Sequence, residues 1–224
     1  MALPPIVRKA ARALGLRPPA RSVRVPRINF VSGLEDGAWL LFGLARAMRP
    51  AVCVEIGSAR GLSACYVGLA LKEIGAGRLY AIDPHTRTDW NDRESVDTYR
   101  LMQRNLRAFG VADYVTVVRD YSDKAAAGWD RRIDMIFIDG DHSYDGVKRD
   151  WELFVPHLRE FGVAVFHDTT WDIAPDHALN RDDMGVPRFV DELRRQGYPV
   201  ITLDRHHGIS LVQPTAGGVP LVRS

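Results

Sequence analysis

Five acidic side chains stand where they could do chemistry. Glu55, Asp83, Asp139 and Asp168 fall at the ends of short apolar runs, and Asp120 lies just past another. Carboxylates are rarely buried without partners, so a set of them brought to one place implies bound hydroxyls, a cation or a metal. Helix capping accounts for single members but not for the set, because Glu55 lies inside its run and Asp139 precedes Gly140. Two histidines join them: His142 follows Asp139 by three residues, and His167 directly precedes Asp168. An imidazole of ordinary pKa, about 6.5, takes up a proton near neutrality and also ligates metals.

The stretch that organises the chain around these groups is 51–63, AVCVEIGSARGLS. Small and β-branched residues from Ala51 to Ile56 suit a buried parallel strand. Gly57 and Gly61 bracket a turn in which backbone can approach a ligand with no Cβ in the way. Helical apolar spacing resumes at Leu62. Strand, turn and helix in that order present backbone N–H groups at the carboxyl edge of a sheet, where ligands of open α/β sheets sit. The dinucleotide fingerprint G-x-G-x-x-G is absent, since Glu55 stands where its first glycine would be, and no lysine follows Gly61 to make a phosphate-cradling loop.

The remaining elements alternate. Ser32 and Glu35 read as a capping box opening a helix that runs to about Met48, before Pro50. Strands are expected over 51–56, 78–83, 114–118, 133–138 and 162–166, and helices over 62–74, 94–109, 123–127, 144–158 and 187–196. The strands 200–203 and 209–212 form a closing hairpin. Five strand–helix alternations followed by a hairpin imply a parallel sheet with one antiparallel strand at its end. In such a sheet the strand ends carrying the acids share one edge.

A chain of 224 residues carrying 46% hydrophobic and 26% charged residues supports one soluble α/β domain. Its net charge of +2 is unevenly placed: Arg8, Lys9, Arg12, Arg17, Arg21, Arg24 and Arg27 face no acid before Glu35. Residues 1–31 are therefore expected as a basic, proline-broken leader, 32–214 as the domain and 215–224 as a tail. The acidic body argues against a nucleic-acid surface, and no apolar run approaches a membrane span. The leader could pack on a second subunit in a homo-oligomer. Cys53 and Cys65 read as packing residues with no disulfide framework, which fits a cytoplasmic location.

The pattern E-x-G-x-x-x-G at Glu55, Gly57 and Gly61, with Asp83 ending the second strand, resembles the class I S-adenosylmethionine-dependent methyltransferases. The resemblance implies a Rossmann-like seven-stranded sheet of order 3-2-1-4-5-7-6 with helices on both faces. It also implies that the turn, with Glu55, Gly57, Ser58, Gly61 and Ser63, faces the methionine part of the cofactor. Asp83 would hold the ribose hydroxyls and His85 would line the adenosine pocket. Ser122 takes the adenine position after strand three, with Asp120 competing for it, and Asp139 borders the cofactor.

The run 133–144, IDMIFIDGDHSY, further resembles strand four of metal-dependent small-molecule O-methyltransferases of the catechol and macrolide-sugar types, and of cephalosporin-hydroxylase-like relatives. The resemblance implies a divalent ion, Mg²⁺ in the family, held by Asp139, His167 and Asp168. His142 stands at the position of the general base that takes the proton of an acceptor hydroxyl on a sugar, polyketide or phenol. His167 departs from the family's oxygen-rich pattern, tilting the site toward Mn²⁺ or Fe²⁺ unless the ring is not a ligand. Thr169 could fill the gap. Trp90, Trp171 and Met184 are expected to overhang the cleft as a lid. The alternatives are a metal-independent methyltransferase, a ribosomal-RNA enzyme, a non-catalytic cofactor-binding protein and a nicotinamide-dependent oxidoreductase; the glycine pattern disfavours the last.

Overall fold

The computed structural model describes residues 23, 25–86, 96–171 and 183–214. Its elements in chain order are α1 (Gly37–Met48), β1 (Val52–Ile56), α2 (Leu62–Ile74), β2 (Arg78–Ile82), α3 (Thr98–Phe109), β3 (Val115–Val118) and α4 (Ser122–Ala127). Then come β4 (Ile133–Ile138), α5 (Tyr144–Phe154), β5 (Leu158–His167), α6 (Val186–Arg195), β6 (Val200–Leu203) and β7 (Ile209–Val212). The seven strands form one sheet of order β3-β2-β1-β4-β5-β7-β6, the order expected. The first five are parallel, and β7 runs antiparallel to both β5 and β6.

Two apolar layers sandwich the sheet. One gathers Leu34 with Ala38 and Leu41 of α1, Ala64 and Leu71 of α2, and Met102 and Leu106 of α3; Phe30 packs into it, with Val23, Val25 and Ile28 partly buried alongside. The other gathers Val147, Trp151 and Phe154 of α5 with Phe189 and Leu193 of α6. The central strands β1 and β4 are buried over almost their whole length, which explains their continuous apolar sequence.

Four boundaries differ from expectation. The first helix starts at Gly37, because the Ser32 hydroxyl accepts from Leu34 N–H at 3.2 Å and Glu35 takes a positive φ of 42°. No capping box closes, since the Glu35 and Asp36 carboxylates instead meet His206 and Arg205. Helix α5 ends at Phe154 rather than Leu158, where a 3₁₀ turn carries Pro156; proline inside a helix loses an N–H and clashes with the turn before it. Leu158 thus opens β5, and the register between β4 and β5 shifts between Ile133 and Met135, so 159–162 bulge out with Phe161 exposed. Helix α3 begins at Thr98, capped by Asp97, whose side chain accepts from Arg100 N–H; positions 94 and 95 lie outside the described residues.

Strand β1 is held at its start by Asp134 of β4, whose Oδ2 accepts from both Ala51 and Val52 N–H at 2.8 Å, while Arg159 lies 3.0 Å from Oδ1. Asp134→Ala should remove both bonds and lower unfolding free energy by about 1–3 kcal/mol, the scale of lost hydrogen bonds to a charged group. Urea denaturation would check this, with the midpoint shifted and the slope unchanged.

Candidate active site

The carboxyl edge of β1, β2, β4 and β5 brings together Glu55, Asp83, Asp139 and Asp168. The turn after β1 is fixed by backbone: Gly57 N–H donates to Ile82 carbonyl at 3.0 Å, Asp139 N–H to Ile56 carbonyl at 2.9 Å, and Gly61 N–H to Ser58 carbonyl at 2.7 Å. Gly57 has φ +82°, and a Cβ there would fall 2.0 Å from the Asp139 carbonyl oxygen. No other residue fits, so the glycine turn lies directly on the β4 strand end.

Asp83 Oδ2 accepts from Ser58 and Ala59 N–H at 2.8 Å, and its Oδ1 from His85 N–H at 2.6 Å. Three of the roughly four acceptor positions of the carboxylate thus hold the turn and its own loop, leaving one for a ligand hydroxyl. Glu55 is 1% exposed, and neither carboxyl oxygen has a hydrogen-bond partner. Burial pushes its carboxyl up to about 7, against the pull of the nearby Ser63 and Ser58 hydroxyls, with Asp139 and Asp83 adding to the rise. Ser58 Oγ and His85 Nε2 are likewise buried without partners. These orphaned polar atoms along one turn fit a ligand rich in amino and hydroxyl groups. The His85 side chain is fully buried, with Nδ1 3.0 Å from Thr98 Oγ1. Burial lowers its pKa, with the Asp83 charge opposing and Arg119 assisting, so it sits neutral.

On the far side of Gly57 lies a cluster of two carboxylates and two imidazoles. His142 Nδ1 lies 3.2 Å from Asp168 Oδ2 and its Nε2 3.5 Å from Asp139 Oδ1. His167 Nδ1 lies 3.2 Å from Asp139 Oδ1 and 3.3 Å from Asp168 Oδ1, while its Nε2 reaches the His206 carbonyl at 3.1 Å. Asp168 carries φ 58°, a conformation seldom adopted outside glycine, at a site where local strain is held by its surroundings. Burial raises the Asp139 carboxyl, but the charge of His167 and the bond to His142 outweigh it and hold it well below the usual carboxylate range. Burial lowers both imidazoles, yet the facing carboxylates win: His142 is raised and His167 raised further.

The donor set therefore supplies a place for positive charge, whether protons or a divalent ion. Ligand atoms of Asp139, His142 and Asp168 lie within 4.8 Å of one another, and His167, with Nε2 tied to a carbonyl, turns Nδ1 toward the same carboxylates. Two oxygens with imidazole nitrogen fit Mn²⁺ or Fe²⁺ more readily than Mg²⁺.

The remaining expected residues are placed as follows. Ser122 opens α4, and its hydroxyl donates to Asp150 of α5 at 2.6 Å. Asp120 is half-exposed and accepts from Tyr121 N–H. Ser63 is buried in α2. Trp171 stacks on His207 with ring centroids 4.2 Å apart, and Met184 packs against the second apolar layer rather than standing free over the cleft; Trp90 lies outside the described residues. Sequence reasoning passed over His206 and Asp36 and read Glu35 only as a helix cap; their convergence on the β6–β7 turn leaves no local signal. It also passed over Asp150, a carboxylate among the apolar positions of α5, which was a signal.

Comparison with known proteins adds a second line. A family model described as a methyltransferase domain matches residues 54–169. An uncharacterized protein of Sinorhizobium fredii is 28% identical, the match covering 84% of this chain and 21% of the relative; the chain thus spans about a fifth of that relative's length. Among solved structures, the O-methyltransferase TomG from Streptomyces achromogenes, involved in tomaymycin synthesis and solved with S-adenosylmethionine, is 21% identical. That match covers 92% of this chain and 86% of TomG, with a TM-score of 0.61. An O-methyltransferase from Bacillus cereus, solved with S-adenosylhomocysteine, is 16% identical over 93% and 89% of the two chains, with a TM-score of 0.60. At these identities the two structures share the fold.

A buried carboxyl with its pKa raised to about 7 favours folding while protonated, so its contribution is present at low pH and lost as pH rises through 7. The raised imidazoles slope the same way. Glu55→Gln should therefore flatten, without abolishing, the fall in melting temperature between about pH 5 and pH 8. Differential scanning calorimetry across that range would check it.

Proposed function

Because the chain belongs to the methyltransferase-domain family of S-adenosylmethionine-dependent enzymes, we propose that it transfers the cofactor's methyl group to a hydroxyl oxygen of a small molecule, with His142 as general base. One observation carries this reading: the His142 ring is gripped by Asp139 and Asp168 beside the glycine turn that would hold the cofactor.

A sulfonium methyl is already activated, so the chain's task is alignment and removal of one proton. Asp83 would take a ribose hydroxyl on its remaining acceptor position, and the uncompensated Glu55 would face the cationic methionine end. Asp168 faces His142 Nδ1 and orients the ring, and Nε2, beside Asp139, is the nitrogen that would receive the acceptor's proton. Asp139, at that same nitrogen, steadies the imidazolium that results. Asp139, Asp168 and His167 would hold a divalent ion, leaving His142 as the base. Such an ion, when bound, lowers the pKa of an acceptor hydroxyl. A second reading, with His142 as the nitrogen ligand, is favoured by the closeness of its ring to both carboxylates. Among the described residues no helix is long and apolar enough to cross a membrane. We further propose a cytoplasmic location and a homo-oligomer.

Three outcomes test the reading. Calorimetric titration should show micromolar S-adenosylmethionine binding, about −8 kcal/mol, lost in Asp83→Ala. His142→Ala should lower kcat by about 10²–10⁴ while cofactor affinity holds; an unchanged kcat would remove the base. Because the carboxylates hold the His142 pKa up and the base must be neutral, activity should rise with pH through a midpoint above about 6.5. Titrating Mn²⁺ into the protein with His142→Ala and His167→Ala separates the two ligand readings, since the true ligand's variant loses the ion.

A further inference from the structure

One buried carboxyl takes no part in that cluster. Asp150 lies among the buried positions of α5 that include Val147, Trp151 and Phe154, and it is 2% exposed. An apolar side chain there would complete the stripe at no desolvation cost. Burial lifts its carboxyl to about 6, against the pull of the Ser122 hydroxyl and Arg149, with Asp141 and Asp123 adding to the rise.

Its two oxygens face two loops of the carboxyl edge. Oδ1 accepts from Ser122 Oγ at 2.6 Å. Oδ2 faces Gly140, where a Cβ would lie 3.4 Å from it and 3.1 Å from Ile56 Cγ2. Gly140 in turn lies under the glycine turn, since a Cβ on Gly57 would fall 2.7 Å from Gly140 Cα. A continuous stack therefore runs from Gly57 through Gly140 and Asp150 to Ser122, joining the loops after β1, β4 and β3. Ser122 commits its hydroxyl proton to Asp150, so the groups it offers a ligand are oriented from below.

We infer that Asp150 is a positioning residue for the cofactor's adenine: through Ser122 and Gly140 it sets the gap between the loops after β3 and β4 that would flank the purine. The inference rests on the cofactor reading above and assigns its purine specificity to a side chain that need not touch the purine.

The test is calorimetric titration of S-adenosylhomocysteine and S-inosylhomocysteine, whose purine carries an oxo group in place of the 6-amino group. The proteins are the unaltered chain, Asp150→Leu, Asp150→Asn and Ser122→Ala. The unaltered chain should prefer the adenosyl ligand. Asp150→Leu should weaken it by about tenfold, the scale of one lost charged hydrogen bond, and erase the preference. Ser122→Ala should do the same, and Asp150→Asn, which keeps a polar partner for Ser122, should restore most of it. Should Asp150→Leu fail to fold, Asp150→Ala stands in for it, because loss of preference in Ser122→Ala by itself would also follow from a direct contact of Ser122 with the purine. Equal weakening of both ligands, or unchanged binding in Asp150→Leu and Ser122→Ala, overturns the inference and leaves the cofactor reading standing. An unaltered chain that binds neither ligand overturns the cofactor reading itself.

Discussion

Gly57 lies so close to the end of β4 that no side chain fits between them, the Asp139 carbonyl standing 2.0 Å from where a Cβ would be. Everything functional is arranged around that contact. On one side of it lie Glu55, Ser58 and Asp83, on the other Asp139, His142, His167 and Asp168. A larger residue would separate two groups of side chains whose proposed chemistry requires them to meet. The ladder bonds Gly57–Ile82 and Asp139–Ile56 hold this closeness from both neighbours, so the rigid centre of the sheet sets the spacing of the site.

The second constraint is charge. Two carboxylates facing each other in a partly dry site repel unless a cation lies between them, and two imidazoles whose pKa values these acids raise face them here. Their environment divides them. His167 is clamped, one nitrogen on the His206 carbonyl and the other between both carboxylates. His142 rests against the same acids with its ring partly open to solvent. A clamped ring suits holding charge, and an accessible ring suits exchanging a proton. The clamp depends on the β6–β7 turn, where His206 is braced by Glu35 and Asp36, so the segment before α1 supports the site without entering it.

Much of this was legible beforehand. The strand–helix alternation, the glycine turn and the convergence of acids follow from period-two and helical patterning and from the rule that parallel strands share one carboxyl edge, while the strand order came with the resemblance to the class I methyltransferases. The failures were local. The capping box at Ser32 and Glu35 has the right letters, but distant partners, Arg205 and His206, took the carboxylates. The helix expected over 144–158 buries Val147, Trp151 and Phe154 as one face, yet Pro156 ends it and Leu158 becomes strand.

From its residues alone the chain determined its α/β class, the backbone turn at Gly57 and Gly61 and the acids that border it, because these depend on neighbours a few positions away. Tertiary structure decided which donors each carboxylate keeps. Asp83 is largely spent on the turn, Glu55 is left bare, and Ser122 is turned to Asp150. Those outcomes depend on side chains tens of residues apart competing for the same hydrogen bonds and the same scarce water, and spacing along the chain carries no record of that competition.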